Sequence, residues 1–558
     1  MKRLLLFALL TGSTAFATPS GTTLIVNGTL IDPGTGKVIP NGAVRIEGDR
    51  IAAIIQNNTD IPKKGDAVID AKGKFILPGY IDTHVHFFQS GDIYTRPDGL
   101  DLNSIRPYKQ ETEWIRSHLD DTFARYLRCG ITSVLDIGGP LWNFEMRKRA
   151  NATAKAPRMA AAGPLISSVS RPQLDLGDPP IVKIDTPEQG REMVRKLAAQ
   201  KPDYIKIWYI VPPAQPAERI TPKPGEGGSP APSGAASPMP GQSDAERAAI
   251  FRPVVHAVVE ESHRLKLRVA VHATELEAAR ASAEEGADLL VHSVTDKPVD
   301  DAFVKLLKEK GTMLTPTLVV FERYGRTFAN KLELTPEEKA WGNPEVIASL
   351  DVTKIPEDKR PERLKKAMEN PAAVLDSIQK TYDVALKNLK TLEDAGITIA
   401  TGTDAGNIGT IHGPAIFREF QLMKQAGLTP MQILQCTTAN AAKTFGGETG
   451  AKIGSLQPGN YADLLILKSN PLDDIRNASD IDSVMKNGVM YHAVDVGRVL
   501  DETRDADISR SPGVQRPGRR QESRRRENPW PDPVREQFSG LQSPGCDELG
   551  RPPRPDRG

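Results

Sequence analysis

The hydrophobic pattern changes character twice along the chain. Near the start, short β-rich runs at 23–26, 42–47 and 50–55 are separated by Asn-Gly, Asp-Pro-Gly and Gly-Asp turn signals. The same texture returns late, at 462–467 and 483–489, after the turn Gln457-Pro458-Gly459-Asn460. Between these regions, strand-like and helix-like stretches alternate, the pattern of parallel α/β architecture. Eight candidate strands fall at 75–78, 132–137, 158–162, 204–208, 268–272, 288–292, 313–318 and 397–402, with amphipathic stretches such as 248–264, 275–285 and 371–395 between them. Eight β/α units predict a (β/α)8 TIM-like barrel with its chemistry at the C-terminal strand ends. The flanking runs predict a discontinuous β-sandwich domain built from both chain ends.

Three stretches break the alternation. A Pro/Gly/Ser-rich insertion at 211–247 reads as a flexible loop. The polar, partly helical stretch 321–370 lies between the last two barrel strands and suits a lid or a decoration. From about 501 the chain is rich in Arg and Pro, without Lys or periodicity, which predicts a disordered tail. At the other end, Lys2 and Arg3 precede an apolar run at 4–10, and Ala15-Phe16-Ala17 offers the small residues that a signal peptidase reads. A membrane anchor needs ~20 apolar residues, and Thr11, Gly12, Ser13 and Thr14 end this run first. The expected layout is a signal peptide at 1–17, the sandwich at 18–76 and 447–500, the barrel at 77–446 and the tail at 501–558. The mature protein is expected to be secreted, to a periplasm, with no stable membrane anchor.

Composition narrows the partners. Lys+Arg is 72 against Asp+Glu 71 in 558 residues, a net charge of +1, so no nucleic-acid partner is expected. Three cysteines, Cys129, Cys436 and Cys546, are too few and too scattered for a disulfide framework or a cysteine-based zinc site. What remains is a small-molecule substrate, with a homo-oligomer left open.

Five features stand at the predicted strand ends: His84-Val85-His86 after strand one, Lys206 in strand four, and His272, His292 and Asp404 after strands five, six and eight. Two histidines at i and i+2 on an extended segment point the same way and can share one cation. A lone histidine after a strand is more often a structural residue, but the set recurs at one end of an independently predicted barrel. Tyr209 and His412 are weaker candidates for substrate binding. A tyrosine at a strand end is commonly packing, and His412 suits a helix start equally well.

The chain resembles the amidohydrolase superfamily of metal-dependent hydrolases. The resemblance lies in Leu77-Pro-Gly-Tyr-Ile-Asp-Thr-His-Val-His86, Gly130-Ile-Thr-Ser-Val-Leu-Asp-Ile-Gly-Gly139, Thr401-Gly-Thr-Asp-Ala-Gly406 and Leu456-Gln-Pro-Gly-Asn-Tyr-Ala-Asp463. It spans about residues 22–492 and is strongest toward the imidazolonepropionase-related, prolidase-like group. It implies two divalent metal ions, with zinc the first candidate. His84, His86 and Asp404 would hold the buried ion, and His272 and His292 the more exposed one. Lys206 would bridge them as a carboxylated lysine; one metal beside an ordinary buried lysine is the alternative. Metal-bound hydroxide would attack the carbonyl, with Asp404 as the catalytic proton shuttle.

The departures fall where substrate is read. Prolidase-like relatives carry Gly-Gly-His-Gly after strand three, whereas here Gly163-Pro-Leu-Ile-Ser-Ser-Val-Ser-Arg-Pro-Gln173 follows it. Arg171 and Arg252 are the candidates to replace a lost carboxylate contact. The expected activity is hydrolysis of an amide-type C–N bond in an N-acyl amino acid, dipeptide or related small molecule. An ester, lactone or carbamate hydrolase using the same site, and a non-catalytic binding relative, are the alternatives.

Overall fold

The computed structural model describes residues 21–57, 62–212, 242–493 and 496. The expected signal peptide, most of the 211–247 insertion and the 501–558 tail lie outside the described residues. The last part of the insertion is ordered: Ser243 and Glu246 form a capping box that opens the helix Asp244–Ala249. Among the described residues no helix is long and apolar enough to cross a membrane.

Both chain ends meet in one eight-stranded mixed sheet. Its strands are β1 (Thr22–Asp32), β2 (Lys37–Glu47), β3 (Arg50–Ile55), β4 (Ala67–Asp70), β5 (Phe75–Pro78), β15 (Leu464–Leu467), β16 (Ile481–Lys486) and β17 (Val489–His492). The order is β17-β16-β15-β5-β1-β2-β3, with β4 alongside β1. A buried ion group ties this sheet to the rest of the protein. Lys486 Nζ lies 3.2 Å from both oxygens of Asp463, which Arg158 also approaches, and the Arg50 and Arg158 guanidiniums sandwich the Tyr461 ring at 3.7 Å each.

The central strands are parallel. β6 (Tyr80–Val85), β7 (Ile131–Asp136) and β8 (Arg158–Ala161) form one ladder. A second has the order β10-β9-β11-β12-β13-β14, with β9 Leu165–Ser167, β10 Ile181–Lys183, β11 Tyr204–Trp208, β12 Arg268–His272, β13 Leu289–Val291 and β14 Met313–Thr315. β6 and β7 are buried throughout, as strands covered on both faces must be. Beyond β14, the segment 397–405 bonds to both neighbours. Leu314 N–H donates to Thr398 O at 3.0 Å and Ala400 N–H to Leu314 O at 2.8 Å; on the other side Thr83 N–H donates to Thr401 O at 2.9 Å.

Two sequence expectations are corrected. The run 75–78, expected as the first barrel strand, is β5 of the mixed sheet, between β1 and β15; the parallel ladder begins with β6. A strand buried on both faces has the same apolar texture in either sheet, so composition does not separate the two. The expected strand at 397–402 forms only an isolated bridge, Ile399 with Leu314, although its backbone bonds hold it in line.

The transfer between sheets occurs at Gly79. Its N–H donates to Asp463 O beside β15, while the next N–H, of Tyr80, donates to Gly130 O beside β7, both at 2.9 Å. A Cβ at position 79 would collide with the Thr132 side chain. Gly79→Ala should therefore cost about 1–3 kcal/mol in urea unfolding. Thr132→Ala in the same chain should recover part of that loss. An unchanged midpoint in the single variant would refute the close approach.

Candidate metal centre

The ends of β6, β11, β12 and β13 and the 397–405 segment converge on one point. His84 Nε2 and His86 Nε2 are 3.2 Å apart, and Asp404 Oδ1 lies 3.2 Å from the first and 3.1 Å from the second. Donor atoms around a cation at ~2.0–2.1 Å are separated by roughly 3.0–3.4 Å, so this triangle has the edges of a metal coordination shell. The His292 ring centroid stands 4.9 Å from that of His84 and 4.4 Å from that of His272. His84, His292 and Asp404 each offer a ligand atom within a 4.8 Å span.

Outer hydrogen bonds fix the rings. His86 Nδ1 donates to Gly138 O at 2.7 Å, which leaves Nε2 as the ligand nitrogen. His292 Nδ1 is 2.6 Å from Thr317 Oγ1. Asp82 accepts from Thr403 N–H at 3.0 Å and Thr403 Oγ1 at 2.7 Å, binding the turn that carries Asp404 to the strand that carries His84. Asp404 itself has φ 59°, a left-handed conformation uncommon for residues other than glycine.

Burial sets the electrostatics. It drives His84 down to about 3 and His272 and His292 well below the ordinary histidine value, so these rings are neutral and able to ligate. Burial opposes the charge of Asp404, yet His84 and His86 hold it well below the usual carboxylate range. Lys206 is 1% exposed, and burial pulls its amine down to about 7 against the pull of Asp404. Its Nζ finds no hydrogen-bond partner among the described residues, nor does His84 Nδ1. A buried, unpartnered amine that is neutral near pH 7 has the chemistry needed to take up carbon dioxide. The donor set fits the metals that the sequence implied.

The centre lies at the base of a cleft of about 470 Å³. Phe88, Leu165, Ile181, Trp208, Val320 and Phe321 line its apolar walls, and Arg96, Asp98, Arg171, Tyr324, Arg363 and Asn407 its polar rim. Arg96 grips Asp98 through two 2.7 Å bonds and reaches Asn407 Oδ1 at 3.0 Å, and Tyr324 OH donates to the same oxygen at 2.5 Å. Part of the 321–370 stretch thus walls the cleft, through the helix Leu318–Phe328 and Arg363.

Of the sequence candidates, His84, His86, Lys206, His272, His292 and Asp404 come together. Tyr209 and His412 do not join them. The Tyr209 hydroxyl donates to Ala248 O, and its ring packs in the core. His412 Nδ1 accepts from Tyr126 OH and its Nε2 donates to Gln89 O, both at 2.8 Å, so neither nitrogen is left for a substrate. Arg252 pairs with Glu284 and Glu285, whereas Arg171 lines the cleft. Sequence reading passed over Asp82, two residues before His84 in the same motif, Tyr324, inside the helix Leu318–Phe328, and Arg96, Thr317 and Asn407, which stand on loops or at a helix start without a periodic signal.

The amidohydrolase family pattern matches residues 75–490, so the chain belongs to the amidohydrolase family and is a hydrolase. It is 24% identical over 518 residues to an ochratoxinase of Aspergillus niger, covering 87% of this chain and 89% of that protein. A Xaa-Pro dipeptidase with methionine bound in its active site superposes with a TM-score of 0.59 at 24% identity, over 85% of this chain and all of that one. The A. niger ochratoxinase structure gives 0.57 at 21% identity, over 85% and 96% of the two chains. The prolidase-like resemblance read from the motifs agrees with these neighbours.

Lys206 also generates a stability prediction. Between pH 7 and 10 the metal-free folded protein holds this amine neutral while the unfolded chain binds a proton, so its contribution to stability rises with pH across that window. Lys206→Met removes the titration. The metal-free variant should be more stable than wild type at pH 7 by on the order of a few kcal/mol, with the gap closing toward pH 10. Urea unfolding at several pH values measures this, and a constant gap would show that Lys206 is not the group responsible.

Proposed function

We propose that this protein is an exported, metal-dependent hydrolase that cleaves an amide-type C–N bond in a small anionic molecule, an N-acyl amino acid or dipeptide-like compound. The triangle of His84, His86 and Asp404 at the base of the cleft carries this reading. In it, His84, His86 and Asp404 would hold one ion and His272 and His292 the second, and Lys206, once carboxylated, would serve as a ligand to both. Zinc suits imidazole and carboxylate ligands. We read the scaffold as a closed (β/α)8 barrel with a β-sandwich, which the bonds of 397–405 to β14 and β6 support.

When bound, the ions polarise the substrate carbonyl and bring the pKa of a water toward neutrality. Asp404 accepts that water's proton and delivers it to the leaving nitrogen. Its left-handed backbone, pinned by an N–H bond to His84 O at 2.7 Å, keeps the carboxylate at the meeting point of the rings. The aromatic walls exclude bulk water and strengthen each charge interaction inside.

The rim supports an anionic substrate. Asp98 is already engaged by both arms of Arg96, so Arg171 and Arg363 add positive charge at the cleft without a full partner carboxylate among the described residues. The Arg171 guanidinium stands 5.0 Å over the Trp208 ring, which in turn meets His272 edge-on, so an anion there is within a short substrate's reach of the centre. The dipeptidase among the structural neighbours supports an amide over an ester.

A hydrolysis screen over N-acyl amino acids, dipeptides and aryl carbamates, beside matched esters, tests the proposal. Amide turnover should be lost on chelation and regained with zinc, and Asp404→Asn should lower kcat/KM by roughly 10²–10⁴. Turnover indifferent to chelators, or an Asp404→Asn variant of full activity, would overturn it. Preference for the matched esters would move the activity to that bond class. Arg171→Ala should raise KM about 10-fold or more for carboxylate-bearing substrates and leave neutral analogues unchanged.

A further inference from the structure

Thr317 is strained in a way its sequence does not require. This β-branched residue sits at φ 46° and ψ 51°, a left-handed conformation in which such side chains are genuine outliers. It occupies the N-cap of the helix Leu318–Phe328 yet makes no side-chain cap bond to that helix. A threonine at an N-cap ordinarily gives its oxygen to one of the first helical N–H groups. Here the hydroxyl faces backwards, 2.6 Å from His292 Nδ1. His292 is itself left-handed, at φ 77°.

The helix start is served from elsewhere. Glu419, on the neighbouring helix Ala415–Gln425, accepts from Leu318 N–H at 2.9 Å and Val319 N–H at 2.8 Å with its two carboxylate oxygens. It is fully buried, as is Thr317. A remote carboxylate thus does the capping that Thr317 would otherwise do, and the Thr317 oxygen is released toward the imidazole. Backbone strain persists only where surrounding structure over-determines it, and Glu419 supplies that constraint.

We propose that Thr317 is a positioning residue for His292, held in its left-handed conformation by Glu419. The Nδ1–H of His292 donates to Thr317 Oγ1, which fixes the tautomer and leaves the Nε2 lone pair for the metal. The inference rests on the metal-centre reading above.

The test uses purified protein loaded with Zn²⁺ or Co²⁺ and compares Thr317→Val, Thr317→Gly and Thr317→Ser with wild type. Valine preserves shape and strain and removes only the hydroxyl; glycine removes the hydroxyl and relieves the strain, so one of the pair folds even if the other does not. Both should weaken Zn²⁺ binding by roughly 10–100-fold in chelator competition and alter the Co²⁺ ligand-field spectrum. Serine should restore affinity to within about threefold of wild type, with the native spectrum, a rescue that a merely structural role would not require. Wild-type affinity and spectrum in the valine and glycine variants would overturn the role of Thr317 and leave the metal centre standing. Failure of wild type itself to bind a divalent ion would overturn the metal-centre reading and this inference with it.

Discussion

Asp404 is a carboxylate almost wholly removed from water, with two imidazole nitrogens 3.1–3.2 Å from one of its oxygens. That arrangement dictates much of what surrounds it. Burial keeps the His84 imidazole neutral. Gly138 O aims the His86 ring, and Thr317 Oγ1 does the same for His292 beside them. The turn that carries Asp404 must be held to β6, and Asp82 does this by accepting two bonds, from Thr403 N–H and Thr403 Oγ1. The parallel strands contribute by delivering each of these groups to one end of the ladder, where no side chain has to travel far.

The site and its rim divide by how each side chain is carried. His84, His86, Lys206, His272, His292 and Asp404 were legible because each ends, or lies within, an apolar run whose period announces a strand. Phe75–Pro78 misled for the converse reason, since β5 is buried on both faces and has the texture of a barrel strand although it lies in the other sheet. Arg96 and Asn407 come from irregular segments, where no repeat fixes direction. Tyr209 and His412 stood in the right stretches, but their polar atoms are taken up by other partners, Ala248 O for the first and Tyr126 OH and Gln89 O for the second.

The rim shows a second use of charge. At the centre the imidazoles and the Asp404 carboxylate gather on one point, whereas at the mouth Arg96 engages both oxygens of Asp98 and Arg171 is left with a single 3.4 Å contact to the same carboxylate. Surplus charge outside gives attraction for an anion at low cost, because those guanidiniums stay partly in water.

The mixed sheet has a bearing on how the chain reaches its native state. β5 pairs on one side with β1, close in sequence, and on the other with β15, so that Leu77 faces Leu465 across the whole length of the central strands. Closing so long a loop is entropically unfavourable until the intervening chain has compacted. The pairing of β5 with β15 is therefore disfavoured until the parallel core has compacted, and a ribosome must pass residue 492 before β16 and β17 can complete the sheet. Until then the edge of β5 stands open, and a chain halted at that stage carries an unpaired apolar strand, the kind of edge that promotes self-association.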